Sequence, residues 1–342
     1  MPAKKPKPTP TIPLNEEQQA VVGCHEGYYQ VLAGPGAGKS HCLSTRYAEL
    51  VKEGIDPSDI ISLSFTATAA KNLRDRVEAQ VGKLITNRTA GAVTFHSLAL
   101  SMAQEERDAY PFTLAEFPLC AEPQANTFSA QAGKRHDVDP RSLRTATSLW
   151  KRRRISPSQA IRDSEAKLDP KQLKLALAYK SYDKLCSEAG LLDFDSLIYY
   201  AVQIMDKSAE VRSRWKRNWL QLDESQDMSK IEWDLAKLIS GRSVLAVGDI
   251  SQGIYSFRGS DGRLFANMEQ MFPGTKTLFL STNYRSSPEI VDWIRPIAAS
   301  RELAEKFHTN NESTGVTPEI KGFVSGVDES KWVIEQIKKE LA

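Results

Sequence analysis

Apolar residues along the chain fall into two alternating kinds of run. Short stretches dense in Val, Ile, Leu and aromatic residues, namely Tyr28–Ala33, Ile60–Phe65, Ala92–Phe95, Trp219–Leu222, Ser243–Val247 and Thr275–Leu280, read as strands. Between them His41–Glu53, Ala69–Val81 and Lys230–Ile239 space their apolar residues as helices do. Strands alternating with helices predict an α/β fold with a parallel sheet, because each parallel step needs a crossover. From about Leu98 to Leu191 the strand signal vanishes. Helical periodicity rules there, as in Gln172–Cys186, where Leu175, Ala178, Tyr179, Tyr182 and Cys186 share one face. The expectation is a helical subdomain (98–191) inserted into an α/β domain (14–97 and 192–280). A further segment starts near Ser281 and runs to 342, with an amphipathic helix expected over Glu329–Leu341. No internal repeat is seen.

A chain of 342 residues suggests two or three domains. With 41% hydrophobic and 26% charged residues it reads as soluble. No apolar run approaches the roughly 20 residues of a membrane span, so no membrane partner is expected. Met1–Pro13 holds three lysines and five prolines without an apolar core, which excludes a secretory signal and predicts a disordered basic leader. Cys24, Cys42, Cys120 and Cys186 are scattered with no CxxC pair, which speaks against a zinc site or disulfide framework and for a reducing cytoplasmic compartment. The net charge of +2 does not announce a nucleic-acid partner. From Lys134 to Lys184, however, fourteen Lys/Arg stand against six Asp/Glu, including the run Lys151-Arg152-Arg153-Arg154. Either a phosphate-holding field or a solvated helical face accounts for that.

The sharpest local feature is Ala33-Gly34-Pro35-Gly36-Ala37-Gly38-Lys39-Ser40, between a predicted strand and a predicted helix. That is the setting of a P-loop: glycines free backbone N–H groups to line a concave anion site at a helix N-terminus. Lys39 would reach the β- and γ-phosphates of ATP, and the Ser40 hydroxyl would ligate Mg²⁺. The strict pattern asks for Gly at position 33 and finds Ala. Such a site needs an acid at the end of another strand, and Trp219–Leu222 runs into Asp223-Glu224-Ser225-Gln226-Asp227. Asp223 would bind Mg²⁺, and Glu224 would orient or deprotonate the attacking water.

With those residues in place, the chain resembles UvrD/Rep-type superfamily 1 DNA helicases. Leu14-Asn15-Glu16-Glu17-Gln18 is similar to their Q motif, Ser64–Ala70 to motif Ia and Thr94-Phe95-His96-Ser97 to motif Ib. Leu192-Asp193-Phe194-Asp195 is similar to the segment before the acidic box. Asp223–Asp227 resembles motif II, Gly248–Gly259 motif III and Asn283-Tyr284-Arg285-Ser286 motif IV. The motifs keep the family's order over about Leu14 to Val291. The resemblance implies a RecA-like ATPase domain in which Gln18 reads adenine, Gly34, Gly36 and Gly38 shape the phosphate loop and Gln252 senses the γ-phosphate. Tyr284 would stack on adenine and Arg285 would neutralise phosphate charge. For DNA it implies contacts from Phe65, Thr66, Thr94, Phe95, His96, Tyr255, Phe257 and Arg258, with Phe65, Tyr255 and Phe257 stacking on bases. Phe257 stands where the family often has Trp, and His41 where an arginine is common.

The implied activity is ATP-driven, 3′-to-5′ translocation on single-stranded DNA with unwinding at single/double-strand junctions. Motifs V and VI have no counterpart before Ala342, so the final segment is expected to be the start of a second RecA-like domain, cut short. Two alternatives stay open: an ATP- and DNA-binding sensor or scaffold that unwinds nothing, and the motor half of a helicase–nuclease.

Overall fold

The computed structural model describes residues 13–82, 85, 89–256, 259–297 and 301–341. The predicted leader therefore lies almost wholly outside the described residues, as do Phe257 and Arg258.

Six strands form one sheet: β1 (Gly27–Ala33), β2 (Ile60–Ser64), β3 (Gly91–Thr94), β4 (Arg217–Leu222), β5 (Ser240–Gly248) and β6 (Lys276–Leu280). Their order is β3-β2-β4-β5-β1-β6, and every neighbouring pair is parallel. Each strand lies within a few residues of its predicted position. A short parallel pair, β7 (Thr282–Asn283) with β8 (His308–Thr309), follows.

The helices are α1 (Glu16–Val22), α2 (Lys39–Lys52), α3 (Ala67–Val81), α4 (Phe95–Glu105), α5 (Glu122–His136), α6 (Pro140–Arg152), α7 (Pro157–Ala166) and α8 (Pro170–Glu188). After them come α9 (Phe194–Lys207), α10 (Ala209–Trp215), α11 (Lys230–Ile239), α12 (Gly262–Ala266), α13 (Pro288–Ile294), α14 (Arg301–Lys306) and α15 (Gly326–Glu340). Among the described residues no helix is long and apolar enough to cross a membrane.

Strand residues point alternately to opposite faces, and the core divides accordingly. Ile61, Leu63, Leu220, Leu222, Val244 and Ala246 pack with Leu98 and Met102 of α4, Ile198 of α9 and Trp233 of α11. Their neighbours Ile60, Trp219, Leu245 and Val247 pack the other way, with Val21 of α1, Leu43 and Tyr47 of α2 and Leu73 of α3. A strand buried on both faces cannot alternate polar with apolar, which is why these read as continuous apolar runs. The result is a three-layer RecA-like α/β fold.

Residues 106–191 contain only helices and turns, apart from a single bridge between Leu119 and Leu192. Four of the five residues expected on one face of α8 are buried, Leu175 being only partly so, and Ala176 joins them. Around them Ala132, Leu143 and Ala160 close a separate small core. Part of the basic run at the end of α6 is engaged by acids. Lys151 is fully buried, its Nζ 3.0 Å from Asp193, 2.6 Å from the Ser196 hydroxyl and 3.4 Å from Asp183. Burial opposes its charge, but Asp193 and Asp183 outweigh that and push its pKa well up. Arg152 pairs with Asp195 at 2.7 Å, and Arg154 with Asp206 and Asp234. Lys151, Arg152 and Arg154 are thus paired with acids of α8, α9 and α11 or with the cap of α9, while Arg153 stays exposed.

Candidate nucleotide and nucleic-acid site

In an open parallel sheet, ligands bind beyond the carboxyl ends of the strands, near the point where the chain reverses its direction of winding. Here β1, β4 and β5 are the relevant ends. β1 runs into the glycine loop, and α2 starts at Lys39 with Gly38 as its N-cap residue. Gly36 and Gly38 have φ of 71° and 83°, the left-handed region that side chains avoid. Gly34 donates its N–H to Leu280 O at 2.9 Å, tying the loop to β6. Gln18 sits beneath, 4% exposed, donating through Nε2 to Ala37 O at 3.1 Å, while its Oε1 accepts from Asn15 N in the cap of α1.

β4 delivers Asp223 and Glu224. Glu224 has φ of 48°, unusual for a residue with a side chain and a mark of a position fixed by its surroundings. Its carboxylate meets Lys39 Nζ at 3.1 Å and accepts from Gln226 Nε2 at 3.1 Å. Asp223 is buried, and burial together with the neighbouring Glu224 pushes its pKa up to about 6, against the pull of Lys39. β5 delivers Asp249, whose N–H is held by Gln226 Oε1 at 3.0 Å and whose carboxylate takes Gln252 Nε2 at 2.7 Å. Gln226 thus joins the ends of β4 and β5.

The segment after β6 folds back over the loop. Asn283, 1% exposed, donates to Pro35 O at 2.7 Å, and Tyr284 N donates to Gly36 O at 3.0 Å. Asn283 Oδ1 accepts the N–H groups of Arg285 and Ser286, both at 2.7 Å. A cavity of about 370 Å³ results, bringing together Lys39, Ser40, Glu224, Gln252, Tyr284 and Arg285. Arg76 of α3 also lines it, a cation that no local motif singled out. Lysine and arginines facing a carboxylate and backbone N–H groups suit a polyphosphate and a water to be deprotonated.

At the same carboxyl edge, past β2 and β3, lies a second cavity of about 390 Å³ lined by Phe65, Thr66, Thr94, His96, Arg152 and Phe194 among others. Phe65 is half-buried with its ring 5.3 Å from that of Tyr255. The hydroxyls of Thr66 and Thr94 cap α3 and α4, accepting from Ala69 N and Ser97 N. His96 lies face to face with Phe194, centroids 3.6 Å apart and planes 15° from parallel. Burial, then Arg152, depress the His96 pKa to about 3, so its imidazole is neutral at pH 7. Phe95 is a correction. Its side chain is 1% exposed and belongs to the core beneath α4, not to this surface. Phe194, absent from the predicted contacts, is 56% exposed at the start of α9.

The family model described as the UvrD/REP helicase N-terminal domain matches residues 14–273. The chain belongs to that family. Among curated relatives of this UvrD/REP domain, the ATP-dependent DNA helicase PcrA of Staphylococcus epidermidis is 28% identical over 337 residues. PcrA of Staphylococcus aureus is 27% identical over the same length. Each alignment covers 95% of this chain and 45% of the relative, so the chain spans under half the length of these PcrA proteins.

Proposed function

We propose that this UvrD/REP-family chain carries the ATP-binding and hydrolysing part of a DNA helicase that moves along single-stranded DNA, 3′ to 5′, toward single/double-strand junctions. The observation that carries the reading is the convergence of Lys39, Glu224, Gln252, Tyr284 and Arg285, from four separate parts of the chain, on one cavity. The naming of the PcrA relatives as ATP-dependent DNA helicases supports it.

In this reading Gln18 and Tyr284 hold the base, and the loop N–H groups with Lys39 hold the phosphates. Lys39 exchanges its bond to Glu224 for phosphate oxygens, which leaves Glu224 able to accept a proton from the attacking water. Arg285 offsets the charge that builds on the leaving phosphate, and Gln252, tethered to Asp249, reports whether the γ-phosphate is present. The residues also fit a divalent cation. Asp223 is buried beside a second carboxylate, and Lys39 with the Glu224 N–H and the Ser64 hydroxyl offsets its raised pKa only in part, so Ser40 and Asp223 would hold Mg²⁺, which would neutralise phosphate charge. The second cavity is read as part of the DNA track. Its rings, the exposed Phe194 among them, offer π-surface that any base can stack on, as sequence-independent movement requires. Residues 98–191 are read as an inserted helical subdomain and 281–342 as the start of a second RecA-like domain.

The test separates binding from turnover. Lys39→Ala is expected to abolish nucleotide binding, measured with a fluorescent ATP analogue. Glu224→Gln is expected to bind ATP as wild type does and to lose hydrolysis by at least about 10²-fold, the scale of general-base catalysis. Equal turnover in wild type and Glu224→Gln would remove Glu224 from its role.

A further inference from the structure

The exposed ring of Phe194 sits on a corner whose two flanking residues are both bonded across to α6. It is the first residue of α9 and lies between two acids, each bonded to a cation of α6. Asp193 caps α9 through Oδ1, which accepts Ser196 N at 2.7 Å, while its Oδ2 takes Lys151 Nζ at 3.0 Å. Lys151 also reaches the Ser196 hydroxyl at 2.6 Å and faces the rings of Tyr179 and Tyr182. On the other side Asp195 Oδ1 accepts from Arg152 Nε at 2.7 Å, both side chains being 16% exposed. Arg152 and Phe194 each line both the 390 Å³ cavity and a larger one of about 810 Å³ beside α5 and α6. Buried ion pairs lose to desolvation much of what they gain, and apolar replacements often leave stability unchanged; such pairs are better explained by what they hold in place.

Resting on the reading of the 390 Å³ cavity as part of the DNA track, we propose that Lys151 and Arg152 are positioning residues. They clamp the Asp193-Phe194-Asp195 corner so that Phe194 stands ready against His96 as one wall of a base-stacking slot. The helical insertion thereby sets the geometry of a DNA contact made by a residue outside it. Freed of the clamp, the α9 terminus loses its fixed azimuth and the ring samples orientations that do not stack. The ordering cost then falls on the binding step.

The experiment uses the full chain and measures affinity for a fluorescent oligothymidylate by anisotropy, with affinity for an ATP analogue as the fold control. Phe194→Ala is expected to weaken DNA binding about tenfold, within the range for loss of one stacked base. Arg152→Ala and Asp195→Asn should each weaken it by about the same factor while ATP affinity stays unchanged. Arg152→Lys should recover part of the loss, and Arg152→Asp combined with Asp195→Arg should recover more than either alone. In the Phe194→Ala background, Arg152→Ala should add almost nothing. Full additivity of those two would overturn the proposal, because Arg152 would then act on DNA directly or on the fold at large. If wild type binds no DNA, or Phe194→Ala binds as wild type does, the DNA-track reading falls and the proposal with it. Sensitivity to Phe194→Ala with indifference to Arg152→Ala and Asp195→Asn overturns the clamp alone.

Discussion

Placing a methyl group at Gly36 tests how the phosphate loop is joined to the segment that carries Arg285. Gly36 has φ of 71°, and a Cβ there would lie 2.9 Å from Asn283 Nδ2 and 2.9 Å from Arg285 Cβ. The left-handed backbone costs alanine about 1–2 kcal/mol relative to glycine. The contact adds to this, because Asn283 cannot turn aside: Nδ2 is bonded to Pro35 O, and Oδ1 to two backbone N–H groups. Losing one such bond costs about 0.5–1.5 kcal/mol net, and more if a buried partner is left unpaired. Gly36→Ala is therefore expected to destabilise the chain by about 2–4 kcal/mol in urea unfolding. Asn283→Ala alone should also destabilise, but it removes the amide the methyl would meet, leaving the contact with Arg285 Cβ. The double variant should fall short of the sum by about 1 kcal/mol, the backbone part remaining. Additivity within about 0.5 kcal/mol would refute the reasoning, since the methyl and the amide would then not meet.

The Asp223 carboxyl, whose pKa of about 6 lies above the ordinary 3.8, favours the folded state when protonated. Its contribution is full well below pH 3.8 and lost as pH rises through 6; Asp223→Asn should lack that loss, a difference on the order of 2 kcal/mol between unfolding curves at pH 4 and 7. Phe95→Ala should cost about 3–5 kcal/mol in stability, as a core truncation does, yet leave the DNA affinity of the folded fraction unchanged. Phe65→Ala should weaken binding of single-stranded DNA at every salt concentration while leaving the slope of log K against log salt intact, because a ring carries no charge. A changed slope would reassign Phe65 to the support of a cation.

What could be read from the sequence was what depends on neighbours in the chain. The six strands, Gly36 and Gly38, and the acids after β4 are local patterns, and the structure places them at one sheet edge. Arg76 was invisible because its link to the cavity comes from the path of α3 across the sheet, not from any residue near it. Phe95 misled for a related reason. The strand ends at Thr94, so the next side chain follows helical rather than alternating geometry and turns into the core. The run Lys151–Arg154 hid its ion pairs. Its partners Asp193, Asp195, Asp206 and Asp234 lie some 40 to 80 positions away, and local composition cannot register them. Gln226, within a recognised motif, gave no sign that it bridges to Asp249.

The strand order also has a consequence for how the protein is made. β1 is synthesised early, yet both of its sheet neighbours, β5 and β6, lie roughly 200 residues or more downstream. At about 5–20 residues per second a ribosome needs on the order of 10–40 s to deliver them. Throughout that interval an apolar strand and the loop behind it have no partner on either edge. Pairing across such a separation is slow even once every strand is present, because long loops must close before any contact compensates them. Nascent chains should thus pass through a long window of chaperone dependence, and the phosphate loop should be among the last parts to take shape.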